Sequence, residues 1–298
     1  MTGSMAGRQP IFRFAPSPNG RLHLGHAYSA LLNLRMARAT GGRMLLRIED
    51  TDTVRCTPAH ERAMLEDLEW IGFEWDEPPL RQSEHFDRYR DFAETLQIEN
   101  LAYPAFMSRS EIRERVALEE SGGVEWPRDP DGAPVYPGDE RDWSEAHRES
   151  MIMSGAPYAL RLDSRRAIAR VASRLTWEEA GAGPNGETGE VEAKPEIWGD
   201  IVLARKDTPA SYHLACVLDD AYQEVTHVVR GRDLFPATAV HRLLQELAGL
   251  DAPEYFHHDL IEDADGTKLS KSRGDTSLAE LRQAGFQPSD IRRKIGLA

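Results

Sequence analysis

The stretch Ile11-Phe12-Arg13-Phe14-Ala15-Pro16-Ser17-Pro18-Asn19-Gly20-Arg21-Leu22-His23-Leu24-Gly25-His26 decides how this chain is read. Its first five residues form a β-strand that Pro16 to Gly20 breaks. Beyond the break, Leu24, Tyr28, Leu31, Leu32 and Met36 recur with helical period until Gly41-Gly42 ends the pattern. A second strand, Met44-Leu45-Leu46-Arg47-Ile48, carries Glu49-Asp50 at its end. Strand, loop, helix and strand make a right-handed crossover unit, which predicts an α/β fold on a parallel sheet. The histidine-bearing loop and Glu49 then fall on the sheet edge where such folds bind ligands.

Working outward, Thr57 is a helix cap with Pro58 in the first turn and the helix running to about Gly72. Another helix is expected over 86–99. From Asn100 to about Pro195 the chain is rich in turns and charge, including Ser121-Gly122-Gly123, Asp129-Pro130-Asp131-Gly132 and the loop 181–186, and it reads as an insertion between two halves of the sheet. Strands at 201–204 and 224–229 and a helix over 237–247 follow.

Composition narrows the function classes. With 298 residues, 40% of them hydrophobic, the chain can bury a substantial core. No apolar run approaches membrane-spanning length, and the residues after Met1 lack the apolar stretch of a secretory signal, so a cytoplasmic monomer is expected. Cys56 and Cys216 form no CxxC pair and read as free thiols. A net charge of −14 argues against a general nucleic-acid coat. Arg161, Arg165, Arg166, Arg170 and Arg174 recur at helix-like intervals, and Arg292-Arg293-Lys294 lies near the end; each cluster reads first as a solvated helix face.

At a helix start, backbone N–H groups and the helix dipole favour phosphate, and a glycine lets a nucleotide come close. His23 and His26 add donors that can stabilise charge on an α-phosphate undergoing in-line displacement. Near the other end, behind the turn Asp263-Ala264-Asp265-Gly266, Lys268-Leu269-Ser270-Lys271-Ser272 offers two lysines able to clamp a triphosphate. Each motif alone is weak, but the two together point to adenylate chemistry.

At these residues the chain resembles the class I aminoacyl-tRNA synthetases, whose signatures are a His-x-Gly-His loop and a Lys-Met-Ser-Lys-Ser loop, with Leu269 in place of the Met. Arg13 through His26, Leu46-Arg47-Ile48-Glu49-Asp50-Thr51-Asp52, Tyr212-His213-Leu214-Ala215 and Thr226 through Gly231 are similar to the glutamyl-tRNA synthetase branch. The resemblance implies a Rossmann-like catalytic domain with a mixed insertion and a short C-terminal segment. It divides the chain into an N-terminus at 1–10, a first catalytic half at 11–99, an insertion at 100–195, a second half at 196–250, and the Lys-Leu-Ser-Lys-Ser loop with a helical segment at 251–298. It assigns ATP contacts to His23, Gly25, His26 and Lys271, catalytic roles to His23, His26, Lys268 and Lys271, and glutamate binding to Arg13, Ser17, Glu49, Tyr212 and Arg230. The chemistry agrees, since glutamate presents two carboxylates and one ammonium and so asks for two cations and one anion. Which arginine reads the γ-carboxylate is open at this point. Arg13 stands out because an unpaired charge in an otherwise apolar strand would be costly.

The chain ends soon after Ser272, whereas glutamyl-tRNA synthetases continue into an anticodon-reading domain; none is expected here. In this the chain resembles the short glutamyl-Q tRNA(Asp) synthetases, which activate glutamate without tRNA and pass it to queuosine at the wobble position of tRNA(Asp). Expected partners are therefore L-glutamate, ATP with Mg²⁺ and queuosine-bearing tRNA(Asp); charging the 3′ end of tRNA(Glu) is the alternative. A catalytically silent binding paralogue would show broken motifs, yet His23, His26 and Lys271 are all present. Many members hold zinc in the insertion. Here Ala105 and Met107 occupy two of the cysteine places and Glu140, after Tyr136, a third, so no zinc is expected.

Overall fold

The computed structural model describes residues 9–171, 173–205, 208–261 and 276–298. Strand β1 (Ile11–Phe14) leads through the proline-rich loop into helix α1 (Leu24–Ala39), and β2 (Arg43–Ile48) returns parallel to β1 with Arg13 opposite Leu45. Gly41, at φ +66°, makes the left-handed turn that ends the helix. Helix α2 (Pro58–Trp70) starts where expected, with the Thr57 hydroxyl accepting the His60 N–H at 3.2 Å. Short β3 (Leu80–Arg81) then pairs parallel with β2, and α3 (Phe86–Ile98) follows in the chain.

The insertion contributes β4 (Ala102–Ala105), α4 (Arg109–Ser121), α5 (Glu145–Met153), β5 (Ala159–Leu162), α6 (Ser164–Arg170), β6 (Thr176–Glu179) and β7 (Gly189–Glu192). Afterwards come β8 (Val202–Arg205), α7 (Tyr212–Tyr222), β9 (His227–Gly231), α8 (Ala237–Leu247) and β10 (Glu254–His258), and finally α9 (Leu278–Gln283) and α10 (Pro288–Lys294).

Seven strands form the main sheet in the order β3-β2-β1-β9-β10-β6-β7, parallel except for the β6–β7 hairpin. β4, β5 and β8 make a separate antiparallel sheet. The division between sheets does not follow residue 195. β6 and β7, from within the insertion, extend the main sheet because β6 pairs in parallel with β10, while β8, expected in the second catalytic half, completes the small one. The arginines at helix-like intervals do not share a helix face either. Arg161 is on β5 and Arg174 lies beyond α6, while Arg165, Arg166 and Arg174 pair with Asp142, Asp163 and Glu192.

From β1 the chain proceeds outward to β2 and β3 on one side, and β9 and β10 lie on the other, so the order reverses between β1 and β9. Open parallel sheets bind ligands at that switch point, because the crossover connections diverge there. β1 and β9 pair at Phe12 and His227, with Thr226 bonded to Ile11, and a cleft opens beyond that point. Asn33 of α1, wholly buried, donates to the Val229 carbonyl at 3.0 Å and fixes the helix behind the cleft onto β9. No described helix is long and apolar enough to cross a membrane.

Candidate active site

The cleft at the switch point has a volume of about 440 Å³ and is lined by Arg13, Ser17, His23, Gly25, His26, Glu49, Tyr212 and Arg230 among others. Every described residue that the sequence singled out for this site thus lines one cavity. Lys268 and Lys271 lie outside the described residues. The segment beyond them returns to the site: Leu278 N–H donates to Leu22 O at 2.8 Å, and Ser277 pairs with His23 in an antiparallel bridge.

His23 and His26 close the first turn of α1 reciprocally. His23 Nδ1 accepts the Gly25 N–H at 3.1 Å and His26 Nδ1 accepts the His23 N–H at 3.2 Å, which places the proton of each neutral ring on Nε2. The two rings lie 3.9 Å apart between centroids. The first amides of the helix are therefore engaged locally, and imidazole N–H groups are what this turn presents. A Cβ on Gly25 would lie 3.0 Å from His23 Cε1, so the glycine makes room for the histidine ring.

On the opposite wall, Arg13 Nε donates to Asp220 Oδ1 at 3.0 Å, and Arg47 Nη1 donates to the same oxygen at 2.6 Å. Arg47, wholly buried, also reaches Glu49 Oε1 at 3.4 Å. Burial acts to raise the pKa of Asp220, but the Arg13 and Arg47 guanidinia outweigh it and hold it at about 2. For Glu49, 14% exposed, burial wins over Arg47 and Arg13 and lifts the pKa above its ordinary value. The anion that would face an ammonium is thus only partly matched inside the protein. Ser17 Oγ lies 3.6 Å from Cys56 Sγ, and burial pushes the Cys56 thiol upward, away from nucleophilic reactivity.

Arg230 sits differently. Its Nε donates to His257 Nε2 at 3.0 Å, Nη1 reaches Tyr212 Oη at 3.4 Å and His241 Nδ1 at 3.3 Å, and Nη2 donates to Thr238 Oγ1 at 2.7 Å and the Leu234 carbonyl at 3.1 Å. These acceptors are neutral, whereas Arg13 is bonded directly to a carboxylate. Burial, with the Arg230 charge adding to it, holds His241 well below its ordinary pKa and His213 at about 4, so both rings are neutral.

Sequence reasoning assigned no role to Arg47, Asp220, Glu179, His241 or His257. The signal for Arg47 was available, since it too is a charge in an apolar strand, the argument that singled out Arg13. The others come from β6, α7, α8 and β10 and meet only in the fold.

The residues at the places where the resemblance put zinc ligands are arranged around a buried carboxylate. Glu140, 1% exposed, accepts from Tyr136 Oη at 2.7 Å and Phe106 N–H at 3.1 Å, against the apolar cluster of Tyr103, Ala105, Ile112 and Val116. Ala105 and Met107 supply no thiolate and Glu140 Oε1 is already engaged, so these residues do not fit a tetrahedral zinc site. Among the described residues no group of three or more His, Cys, Asp or Glu is arranged to hold a metal ion.

Comparison with known proteins gives the family and the fold. Residues 11–298 match the family described as "tRNA synthetases class I (E and Q), catalytic domain". A glutamyl-Q tRNA(Asp) synthetase of Rhodobacter capsulatus is 45% identical over 96% of this chain and 100% of its own. A glutamate–tRNA ligase of Synechococcus is 35% identical over 96% of this chain but 56% of its own length. The crystal structure of glutamate–tRNA synthetase from Elizabethkingia anophelis superposes with a TM-score of 0.73 at 32% identity, covering 90% of this chain and 54% of that one.

Proposed function

This chain belongs to the class I tRNA synthetases of the glutamate and glutamine branch, a family of ligases, and we propose that it joins glutamate to AMP and passes the glutamyl group to queuosine in tRNA(Asp). In the first step a glutamate α-carboxylate oxygen attacks the α-phosphorus of ATP, and the bond to pyrophosphate breaks. In the second a hydroxyl of the modified base attacks the acyl carbon and AMP leaves. The observation that carries the glutamate reading is the charge layout of the cleft: buried guanidinia of Arg13 and Arg230 on two walls and the Glu49 carboxylate at the end of β2. Two separated cations and one anion complement an amino acid bearing two carboxylates and one ammonium, with Ser17 and Tyr212 as neutral partners. Arg13 already carries Asp220, whereas Arg230 is bonded to neutral groups, which favours Arg230 for the substrate's γ-carboxylate.

Glu49 receives the ammonium, and its raised pKa follows from waiting for that cation in a buried place. His23 and His26, held as Nε2–H donors, stabilise charge on the α-phosphate, while Lys268 and Lys271 follow the departing pyrophosphate. A carboxylate is already nucleophilic, so no general base is required. Mg²⁺ enters with the phosphates as part of the substrate.

The choice of queuosine rests on identity of 45% across the whole length of a glutamyl-Q tRNA(Asp) synthetase. Pyrophosphate exchange that depends on glutamate but not on tRNA tests activation. Glutamylation of tRNA(Asp) with and without queuosine tests the acceptor, using tRNA cut back at its 3′ end as control. Product that vanishes with the 3′ terminus, or strict dependence on tRNA(Glu), would instead mark a tRNA(Glu)-charging enzyme.

A further inference from the structure

Glu179 lies at the end of β6, outside the cleft lining, yet its side chain is wholly buried and its carboxylate is fully used. Oε1 accepts the backbone N–H groups of Gly181 at 3.0 Å and His257 at 2.9 Å. Oε2 lies 2.6 Å from His257 Nδ1 and 3.3 Å from Trp177 Nε1. Burial opposes ionisation, but the bonds from His257 and Trp177 outweigh it and hold Glu179 below the ordinary carboxylate range. An ionised carboxylate only accepts, so His257 Nδ1 must carry the proton.

That assignment determines the other end of the ring. Burial takes the His257 pKa down to about 4, so the imidazole is neutral and its Nε2 is a lone pair, and this lone pair meets the Arg230 Nε–H at 3.0 Å. Thr238, which accepts from Arg230 Nη2 at 2.7 Å, lies 3.4 Å from the same nitrogen. His241 completes the cage with the opposite tautomer, its Nδ1 towards Arg230 and its Nε2–H towards His213 Nδ1 at 3.2 Å. Two neutral imidazoles thus hold one guanidinium, and the buried anion on this wall stands one ring away from the charge. A carboxylate in direct contact would compete with the substrate for Arg230, whereas no contact would leave the guanidinium unoriented.

We infer that Glu179 and His257 are positioning residues for Arg230: the carboxylate fixes the His257 tautomer, and the tautomer fixes the guanidinium that distinguishes a substrate side-chain carboxylate from an amide. The inference rests on the proposed glutamate specificity. It also gives the β6–β7 hairpin a role, since this part of the insertion joins the main sheet beside β10 and delivers Glu179 to the back of the pocket. The space there is tight, a Cβ on Gly181 falling 2.5 Å from the His257 carbonyl oxygen.

Glu179→Gln keeps the shape but places an N–H₂ among donors. His257 then carries its proton on Nε2, facing Arg230 N–H with N–H. Glutamate-dependent pyrophosphate exchange, run with and without bulk tRNA, should show the glutamate KM rising about 10- to 100-fold, with the ATP KM within about threefold of wild type, as expected for loss of one hydrogen bond to a charged group. Preference for glutamate over glutamine should fall with it. His257→Gln, whose amide can donate to Glu179 and accept from Arg230, should retain more glutamate affinity than His257→Leu. An unchanged glutamate KM in a folded Glu179→Gln protein would overturn the inference. If that variant fails to fold, ¹⁵N spectra of histidine-labelled wild type decide, with the His257 signals identified by their loss in His257→Gln. A proton on Nδ1 is expected, and one on Nε2 refutes the relay. Wild type without glutamate-dependent exchange would instead refute the substrate reading, leaving the tautomer result to stand on its own.

Discussion

Replacing Asp220 by Asn should be among the most damaging single changes outside the apolar core. One carboxylate oxygen accepts from Arg13 at 3.0 Å and Arg47 at 2.6 Å, and the three side chains are 7%, 5% and 0% exposed. Asparagine keeps an acceptor but removes the charge, leaving two buried guanidinia with Glu49, 3.4 Å from Arg47, as the remaining ion-paired carboxylate among the described residues and the neutral Gln223 Oε1 at 3.3 Å from Arg47. Breaking a buried ion pair from one side costs about 3–5 kcal/mol, and a pair of unit charges about 4 Å apart is worth about 4 kcal/mol at an effective dielectric of 20. A chain of this size loses roughly 2–4 °C of melting temperature per kcal/mol, so the variant should melt about 10 °C lower at neutral pH. Urea unfolding at pH 7 measures the free energy, and a cycle with Arg47→Met tests the cause. Methionine removes the stranded cation, along with a buried Nε that lacks a partner, so the double variant should be about 1 kcal/mol or more stabler than Asp220→Asn alone. Simple additivity of the two losses within about 0.5 kcal/mol would refute the reasoning. The pH dependence has a definite sign. Because the folded pKa of Asp220 is depressed from 3.8 to about 2, its contribution is complete above about 4 and is lost as pH falls towards 2. Asp220→Asn should lack that part of the acid slope.

Lys271→Ala should reduce adenylate formation by about 100-fold or more with an unaltered circular-dichroism spectrum, if the lysine follows the leaving pyrophosphate; unchanged exchange would remove it from the mechanism. Glu49 must be ionised to hold an ammonium, and its pKa lies above the ordinary 4.5, so kcat/KM for glutamate should fall as pH drops through a value higher than that. Glu49→Gln should abolish this acid limb and raise the glutamate KM about 10- to 100-fold; an identical limb in the variant assigns it to another group. Metal analysis of the purified protein should return no stoichiometric zinc, and Glu140→Ala should cost about 2 kcal/mol by stranding Tyr136 Oη and Phe106 N–H; stoichiometric zinc, or a fully stable variant, refutes the hydrogen-bonded replacement.

Much of the catalytic scaffold was legible in local signals. Thr57-Pro58 and Gly41 fix helix ends through a side-chain acceptor, a preset φ and a left-handed turn, none of which needs a partner distant in sequence. The apolar strand around Arg13 and the histidine pair after Gly20 place two walls of the cleft by crossover geometry alone. Less legible was which sheet the strands in and just after the insertion would join. β6 and β8 are each four residues long, and nothing in four residues states which sheet they join; parallel pairing with β10 decides it for β6. The same limit applies to the arginines from 161 to 174, whose helix-like spacing begins on a strand, crosses a short helix and ends beyond it.

The amino-acid sequence determined the first crossover unit and several of the elements after it, the placing of the His23 loop and Glu49 at one sheet edge, and the kinds of charge gathered there, because those depend on periodicity, caps and residue chemistry over short distances. Only the tertiary structure decided which partner each charge has. Arg13 and Arg230 are the same residue in similar strands, yet one is neutralised by Asp220 from α7 and the other is held by His241 and His257 from α8 and β10. That difference arises where separate crossovers converge behind the sheet, at distances of a few ångströms between residues far apart in the chain, and burial then fixes the protonation of each group.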